Sequence, residues 1–459
     1  MTRNGLLYLI GAAVQGLAVL AVTPFATRLL GEAEYGKVAL AIVLTQTVAT
    51  VLAAGFPQLI LRDHQRGEDG VRDARVFVGI MIVGAMGAAT LGAVAALLLL
   101  LAGSSAAALT VLVVTVGSAG LTCVIACQSV FRATERPLAF ATMAIASTLG
   151  AQLVGIGLSS FSRTAEAYLL GFMAALLGLA VVAVVVTRPV WPWHDLPRTR
   201  TATRTALTML PHGVAMLVLL SGDTIIAGVF RGPTAVATYQ PALLLGNVAF
   251  VAATAIYNAW GPAVYRRDPR TRWQWTGRSA VLFGLLLAGV GAFVTVVAPW
   301  AVAILTGPEF DRTTIVTLVS ILAWTAVPYV LYLACSLALI EHGRTGRLAG
   351  VASVIAVVFV LGGGLAVAGS GLEALAVAKL VAYSLLFVAT WRAASSDVPL
   401  RFVGWPAWVA GGVPIIVVSA ALAAPGTVVI VVALISLPLL AVAAWVQRAR
   451  SSASAASNE

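Results

Sequence analysis

Two long apolar runs, 5–30 and 38–61, open the chain and are separated by one polar break, Gly31-Glu32-Ala33-Glu34-Tyr35-Gly36-Lys37. A helix needs about 20 apolar residues to cross a bilayer. Each run exceeds that, so the pattern predicts a helical hairpin whose turn emerges opposite Met1. Further runs follow at 76–102, 108–131, 138–161, 165–187, 207–230, 240–265, 279–305, 315–340, 348–368, 372–391, 405–424 and 428–446. With the opening pair they predict about fourteen membrane-spanning helices. No polar break is long enough for a separate domain. The bridge 188–206 holds Trp191, Trp193 and four arginines, a composition suited to the membrane interface.

The hairpin also carries Gln15, Arg28, Gln46 and Gln58, with Pro24 and Pro57. Such residues persist in a spanning helix where protein or a water-filled cavity satisfies them, which predicts an inward-looking face.

Composition turns this pattern into a class. The 459 residues are 60% hydrophobic and 10% charged, more apolar surface than a soluble chain of this size can bury. The fold class is therefore all-α and polytopic. The net charge of +11 is spread over short loops, which reads as topology and leaves nucleic acid out. Taking loops alternately, one side collects 22 basic residues and the other 5. By the positive-inside rule both termini are cytoplasmic. The first run is too long for a signal-peptide core and is expected to remain as a span. Cys123, Cys127 and Cys335 lie in apolar runs without a histidine cluster, so neither a disulfide framework nor a zinc site is expected.

The chain repeats itself. Tyr35, Pro57, Arg62 and Asp63 are matched by Tyr239, Pro262, Arg267 and Asp268 at offsets of 204 to 205. Ala126-Cys127 and Arg136 are matched by Ala334-Cys335 and Arg344 at 208. An even helix count per half keeps both halves in the same orientation, related by an axis along the membrane normal. The expected organisation is a six-helix lobe at 1–190, a linker at 191–206, a second six-helix lobe at 207–396, and an extra helix pair with a Ser/Ala-rich tail at 397–459. Two such lobes enclose a central cavity and suit alternating access.

The segment Leu29-Leu30-Gly31-Glu32-Ala33-Glu34-Tyr35-Gly36 resembles the signature after the first helix of bacterial polysaccharide-export flippases, the O-antigen and teichoic acid exporter type. Their superfamily also holds multidrug extruders and lipid II flippases. Leu210-Pro211 with Asp223, Leu305-Thr306-Gly307-Pro308-Glu309-Phe310, and Gly369-Ser370-Gly371-Leu372-Glu373-Ala374 resemble it in the same order. The resemblance implies a bacterial plasma-membrane flippase that moves a polyprenyl-pyrophosphate-linked oligosaccharide from the inner to the outer leaflet, working beside a polymerase and glycosyltransferases. Two alternatives stand: a cation-coupled drug or metabolite antiporter of the same superfamily, and a non-transporting scaffold for envelope synthesis.

A charge at mid-bilayer costs about 2.5 to 3.5 kcal/mol, so each intramembrane charge needs a reason. Asp223 is a candidate for coupling H+ or Na+ entry to transport, against a structural ion pair. Lys379 is a candidate for the substrate head, against pairing with Glu373 or snorkelling. Arg28 suits phosphate oxygens, against an interfacial anchor. Arg62 and Arg267 end helices in repeat-related positions and form either a basic mouth or pairs with Asp63 and Asp268. Gln15, Gln46, Gln58, Asn247 and Asn258 supply neutral groups for sugar hydroxyls, or glue between helices. His212, beside Pro211, reads as a satisfied histidine near a helix start. If Arg28 and its counterpart Arg231 both face the space between lobes, the outer end of the cavity is cationic and fits an anionic lipid head. Enzyme chemistry lacks a Ser/His/Asp set, a phosphate loop or paired histidines, and no cofactor is expected. Glu309-Phe-Asp311 is a weak match to an acid-x-acid metal pattern.

Overall fold

A bilayer core offers the backbone no hydrogen-bond partners, so a chain this apolar must satisfy its amides within helices. The computed structural model describes residues 3–64, 68–396 and Val398, with side chains of residues 3–18 and 68–69 outside the description; among the described residues there is no strand. Thirteen helices follow in order: α1 Arg3–Ala53, α2 Phe56–Asp63, α3 Glu68–Leu101, α4 Ser105–Ala133, α5 Pro137–Ile145, α6 Ala151–Ser159, α7 Ala165–Thr187, α8 Leu196–Tyr265, α9 Arg272–Leu305, α10 Arg312–Leu322, α11 Ala326–Glu341, α12 Thr345–Ser370 and α13 Leu372–Ser395. A π-helical turn, Ala146–Gly150, joins α5 to α6. Among the described residues, ten stretches are long and apolar enough to span a membrane. Two of them, in α1 and α8, are each a pair of arms about a kink, which makes twelve arms. The expected last pair, 405–424 and 428–446, lies outside the described residues.

The chain divides into two compact units, Met1–Leu217 and Val218–Glu459. The division falls inside the first arm of α8, whereas the sequence reading starts the second lobe at 207. In the first unit Phe56, Leu59 and Ile60 of α2 meet Val76, Phe77 and Met81 of α3 and Cys127 of α4. Buried hydroxyls tie α4 to α1: Ser118 Oγ donates to the Thr45 carbonyl at 3.0 Å. In the second unit Ala249, Leu285, Ala288, Trp324 and Val330 form the core around α10 and α11. Large apolar side chains stay outside on α3 and α12, among them Leu97, Leu98, Leu361 and Leu365, as lipid-facing surfaces require.

The polar break after the first run is not a turn of seven residues. Helix resumes directly after Gly31, the one residue of non-helical conformation, at φ 74° and ψ 176°. The segment that follows contains Glu32, Ala33, Glu34 and Lys37, good helix formers that extend the second arm. Lys37 Nζ bonds Glu34 Oε1 at 2.5 Å, and Glu34 Oε2 accepts from the Ala165 amide at 2.7 Å, holding a carboxylate at the N-terminus of α7. Gly232 repeats the device in α8 at φ 81° and ψ −177°. That region of backbone space is nearly closed to other residues.

Most of the bridge 188–206 is helical, because α8 begins at Leu196. Only the stretch before it is a connector, and α3 fixes it in place. Arg75 Nε donates to the Arg188 carbonyl at 2.6 Å and the Val190 amide donates to the Arg75 carbonyl at 3.0 Å. Arg198 pairs with Asp73. Trp191 and Trp193 stack at 5.2 Å, with Trp193 exposed.

Asp311, half of the weak metal pattern, caps α10. Its Oδ1 accepts from the Thr314 amide at 3.2 Å and its Oδ2 from the Thr314 hydroxyl at 2.6 Å. The Thr314 hydroxyl bond is the main reason its carboxyl titrates below the ordinary carboxylate value.

Gly232→Ala should cost about 1–3 kcal/mol in detergent unfolding, because only the backbone objects: no atom lies within 4 Å of the added carbon. Gly213→Ala, in the interior of the same helix and equally open, should be neutral or stabilising by up to about 1 kcal/mol. Equal losses at both positions would contradict the hinge. Asp311→Ala should lower stability by about 0.5–2 kcal/mol at neutral pH. With its folded pKa depressed, the Asp311 contribution is full above the ordinary carboxylate range and fades as pH falls through the folded value, so wild type and variant should converge in acid.

Candidate functional site

The first arm of α8 carries the sequence Ser221-Gly222-Asp223-Thr224, and α13 carries Lys379. Both charged side chains are buried, Asp223 at 0% and Lys379 at 1% exposure. Lys379 Nζ donates to Asp223 Oδ2 at 2.7 Å and to the Leu220 carbonyl at 2.8 Å. The hydroxyl of Tyr239, in the second arm of α8, donates to Asp223 Oδ2 at 3.0 Å. The Thr224 amide donates to Asp223 Oδ1 at 3.1 Å, and the Thr224 hydroxyl donates to Gln240 Oε1 at 3.1 Å. A carboxylate, a backbone carbonyl and an ammonium are thus enclosed by hydroxyl and amide groups inside one unit.

Helical spacing builds the α13 side of this cluster. Lys379, Tyr383, Leu386 and Thr390 lie four, seven and eleven residues along one stripe, and all four are buried. Tyr383 Oη and Thr390 Oγ1 are buried and have no hydrogen-bond partner among the described residues. Around Tyr383 stands an aromatic group: Phe250 stacks on Tyr329 at 3.9 Å, and Tyr383 meets Tyr329 edge-on at 5.8 Å.

Several expectations change. Lys379 does not pair with Glu373, six residues away on another face of the same helix; its partner is Asp223. Arg231 is held by backbone at the end of α12, Nε donating to the Val367 carbonyl at 2.9 Å and Nη2 to Ala368 at 3.1 Å. Arg28 Nη1 donates to the Pro24 carbonyl one turn back at 3.0 Å. Both guanidiniums thus engage helix carbonyls. Arg62 forms a two-bond pair with Asp63, at 2.6 and 2.9 Å. Its repeat partner Arg267 instead sits over the Trp275 ring at 4.5 Å, while Asp268 accepts from the Arg270 amide at 2.8 Å. Gln46, Gln58 and Asn258 are exposed and Asn247 is half-buried; the Gln15 side chain lies outside the described residues. His212 is not near a helix start, because α8 begins at Leu196, and its buried Nδ1 has no partner among the described residues.

The first unit has no such charge pair at the matching positions. The offset that carries Gly31 onto Gly232 places Val22 opposite Asp223, and the offset that carries Glu166 onto Glu373 places Phe172 opposite Lys379. Val22 and Phe172 are both buried. Tyr35, the counterpart of Tyr239, hydrogen-bonds Thr23. Sequence reading found the two charges and matched the two tyrosines, but it missed Tyr239 as a ligand and Tyr383 as a neighbour. The Lys379-to-Tyr383 spacing of four was the available signal.

The fold is shared with solved transporters at low identity. The lipid II flippase MurJ in an inward closed conformation matches with a TM-score of 0.67 and 11% identity, over 95% of this chain and 98% of that one. An inward-facing multidrug resistance MATE family transporter of the MOP superfamily matches with a TM-score of 0.57 and 17% identity, over 83% and 95%. A MATE transporter of Vibrio cholerae gives 0.56 and 17%, over 87% and 97%. No curated protein matches the chain by sequence. The family model described as polysaccharide biosynthesis protein matches residues 1–268, more than half of the chain, and with it the chain belongs to the polysaccharide biosynthesis protein family.

Proposed function

We propose that this protein is a flippase that carries a lipid-linked saccharide precursor of the cell envelope across the bacterial plasma membrane, by alternating access and at the expense of a proton gradient. The family supports the saccharide, and the likeness in fold to a lipid II flippase supports a lipid carrier. The buried pair Asp223 and Lys379 carries the coupling. An ion pair at this depth is retained against its desolvation cost, while the matching positions of the other unit manage with Val22 and Phe172. Packing alone therefore does not require the charges.

A proton is favoured over Na+ by the geometry. The acceptors that would hold a metal cation, the Asp223 carboxylate and the Leu220 carbonyl, already hold the Lys379 ammonium. Proton uptake at Asp223 converts its carboxylate to a carboxylic acid and leaves the ammonium without its counter-ion. That change in net charge, from zero to +1, alters the stability of α8 against α13 and gives the cycle two states. The antiporter alternative shares this fold and this ion pair; the family favours the saccharide cargo.

In a deletion strain, lipid-linked saccharide should accumulate in the inner leaflet, as read by leaflet-specific labelling. Wild type should clear it, and Asp223→Asn, inserted at normal level, should not. Full clearance by Asp223→Asn would remove the pair from the cycle. Stability separates the roles further. Asp223→Leu or Lys379→Met alone leaves an unpaired buried charge and should cost about 3–5 kcal/mol, whereas the double variant should recover most of it and still fail to transport. A double variant that transports normally would make the pair structural only.

A further inference from the structure

The connector between α7 and α8 is held more firmly than a link between two spanning helices requires. The 23 residues of α7, Ala165–Thr187, at about 1.5 Å each are enough to cross a hydrocarbon core of about 30 Å. Residues from 188 onward therefore fall at the level of the lipid headgroups. There the backbone lies directly on α3, where a carbon added at Gly79 would collide with the Val190 carbonyl. The Thr199 hydroxyl donates to the Pro192 carbonyl at 2.9 Å, and Asp195 Oδ1 accepts from the Arg198 amide at 3.3 Å. These bonds fix the short helical turn Pro192–His194 to the start of α8.

This rigid segment presents apolar and cationic groups side by side. Trp193, stacked on Trp191, is 58% exposed, and Leu196 is 65% exposed. Large apolar side chains held outward at headgroup depth find acyl chains there, and indole suits that depth. Along α8, Leu196, Arg200 and Arg204 follow at intervals of four on one exposed stripe. On the opposite face Ala202 and Ala206 are buried in the core of the first unit. Arg198 is paired with Asp73, but neither Arg200 nor Arg204 meets a carboxylate or a hydrogen-bond acceptor among the described residues. Like charges at this spacing destabilise a helix unless an anion lies against both.

We propose that this face binds one anionic glycerophospholipid, whose phosphodiester accepts from Arg200 and Arg204 and whose glycerol and first methylenes lie against Trp193 and Leu196. A phosphodiester carries one negative charge on two free oxygens, which suits two guanidiniums one helical turn apart. A zwitterionic lipid offers the same phosphate but brings its own cation, so the site selects for net negative charge. A soluble anion lacks the chains that would cover Trp193 and Leu196. All four residues belong to the first unit, and the site depends neither on the cargo nor on the buried ion pair. A lipid held there anchors the start of α8, the helix that leads from the first unit into the second.

The test uses the purified full chain in detergent, titrated with phosphatidylglycerol or phosphatidylcholine, and native mass spectrometry to count the lipids retained. The first phosphatidylglycerol should bind about tenfold or more tightly than phosphatidylcholine. Arg200→Gln with Arg204→Gln should weaken that first binding by about thirtyfold, about fivefold for each arginine. Trp193→Ser should weaken both lipids alike. Arg266→Gln with Arg270→Gln, an equal change of charge at exposed positions of the second unit, should leave the first binding unchanged. Every one of these positions is exposed, so the variants should melt as the wild type does in lipid-free detergent. Equal affinity for the two lipids, or a first binding that survives loss of Arg200 and Arg204, would overturn the site. An equal loss in the second-unit variant would assign the binding to net charge and overturn it too. Tighter binding of a polyprenyl phosphate would give the face to a carrier lipid, and the proposal would fall.

Discussion

Two opposite charges 2.7 Å apart, with almost no exposure, are the feature around which the second unit is arranged. Either charge alone at that depth is costly, since an isolated buried ion costs several kcal/mol even after relaxation. Asp223 requires Lys379, and both require more. Tyr239 and the Leu220 carbonyl supply the extra contacts that a close pair in low dielectric needs to be worth holding. The result couples α13 to both arms of α8. A change of one proton at Asp223 would be felt on all three helical segments at once.

The hinge glycines set this geometry. Gly232 reverses α8 between Asp223 and Tyr239, so residues sixteen apart in sequence meet across the reversal. Gly31 does the same in α1, where Tyr35 meets Thr23. The two halves thus share a backbone device and differ in what they place beside it. Opposite Asp223 and Lys379 of one half stand Val22 and Phe172 of the other. Duplication followed by different side-chain content leaves an apolar pair of positions in one half and a buried charge pair in the other.

Much of the architecture was legible because spanning helices must be long, apolar and uninterrupted. The twelve arms that the structure describes follow the first twelve apolar runs. The hairpin turn was not legible: Glu32, Ala33, Glu34 and Lys37 are polar, which reads as loop, yet they are good helix formers and one glycine suffices to reverse the chain. His212 reads as lying near a helix start because the bridge 188–206 is polar, whereas α8 already begins at Leu196. Asp223 and Lys379 each stood out as a charge in an apolar run, but their pairing spans 156 residues and no local spacing encodes it. Arg28 is a candidate for phosphate because arginine suits that task, with Arg231 as its counterpart; that each also engages a helix carbonyl is a use that sequence alone does not reveal. The hydroxyls escaped notice because tyrosine and threonine in apolar helices pass for core.

In the proposed cycle, saccharide transport and proton movement share one buried pair, Asp223 and Lys379. The most direct measurement is proton flux in proteoliposomes of the full chain supplied with lipid-linked saccharide, in Na+-free buffer. Substrate should evoke proton movement that follows the amount of saccharide moved and that vanishes in the Asp223→Leu/Lys379→Met double variant. Saccharide translocation that proceeds without proton movement, or that requires Na+, would contradict it.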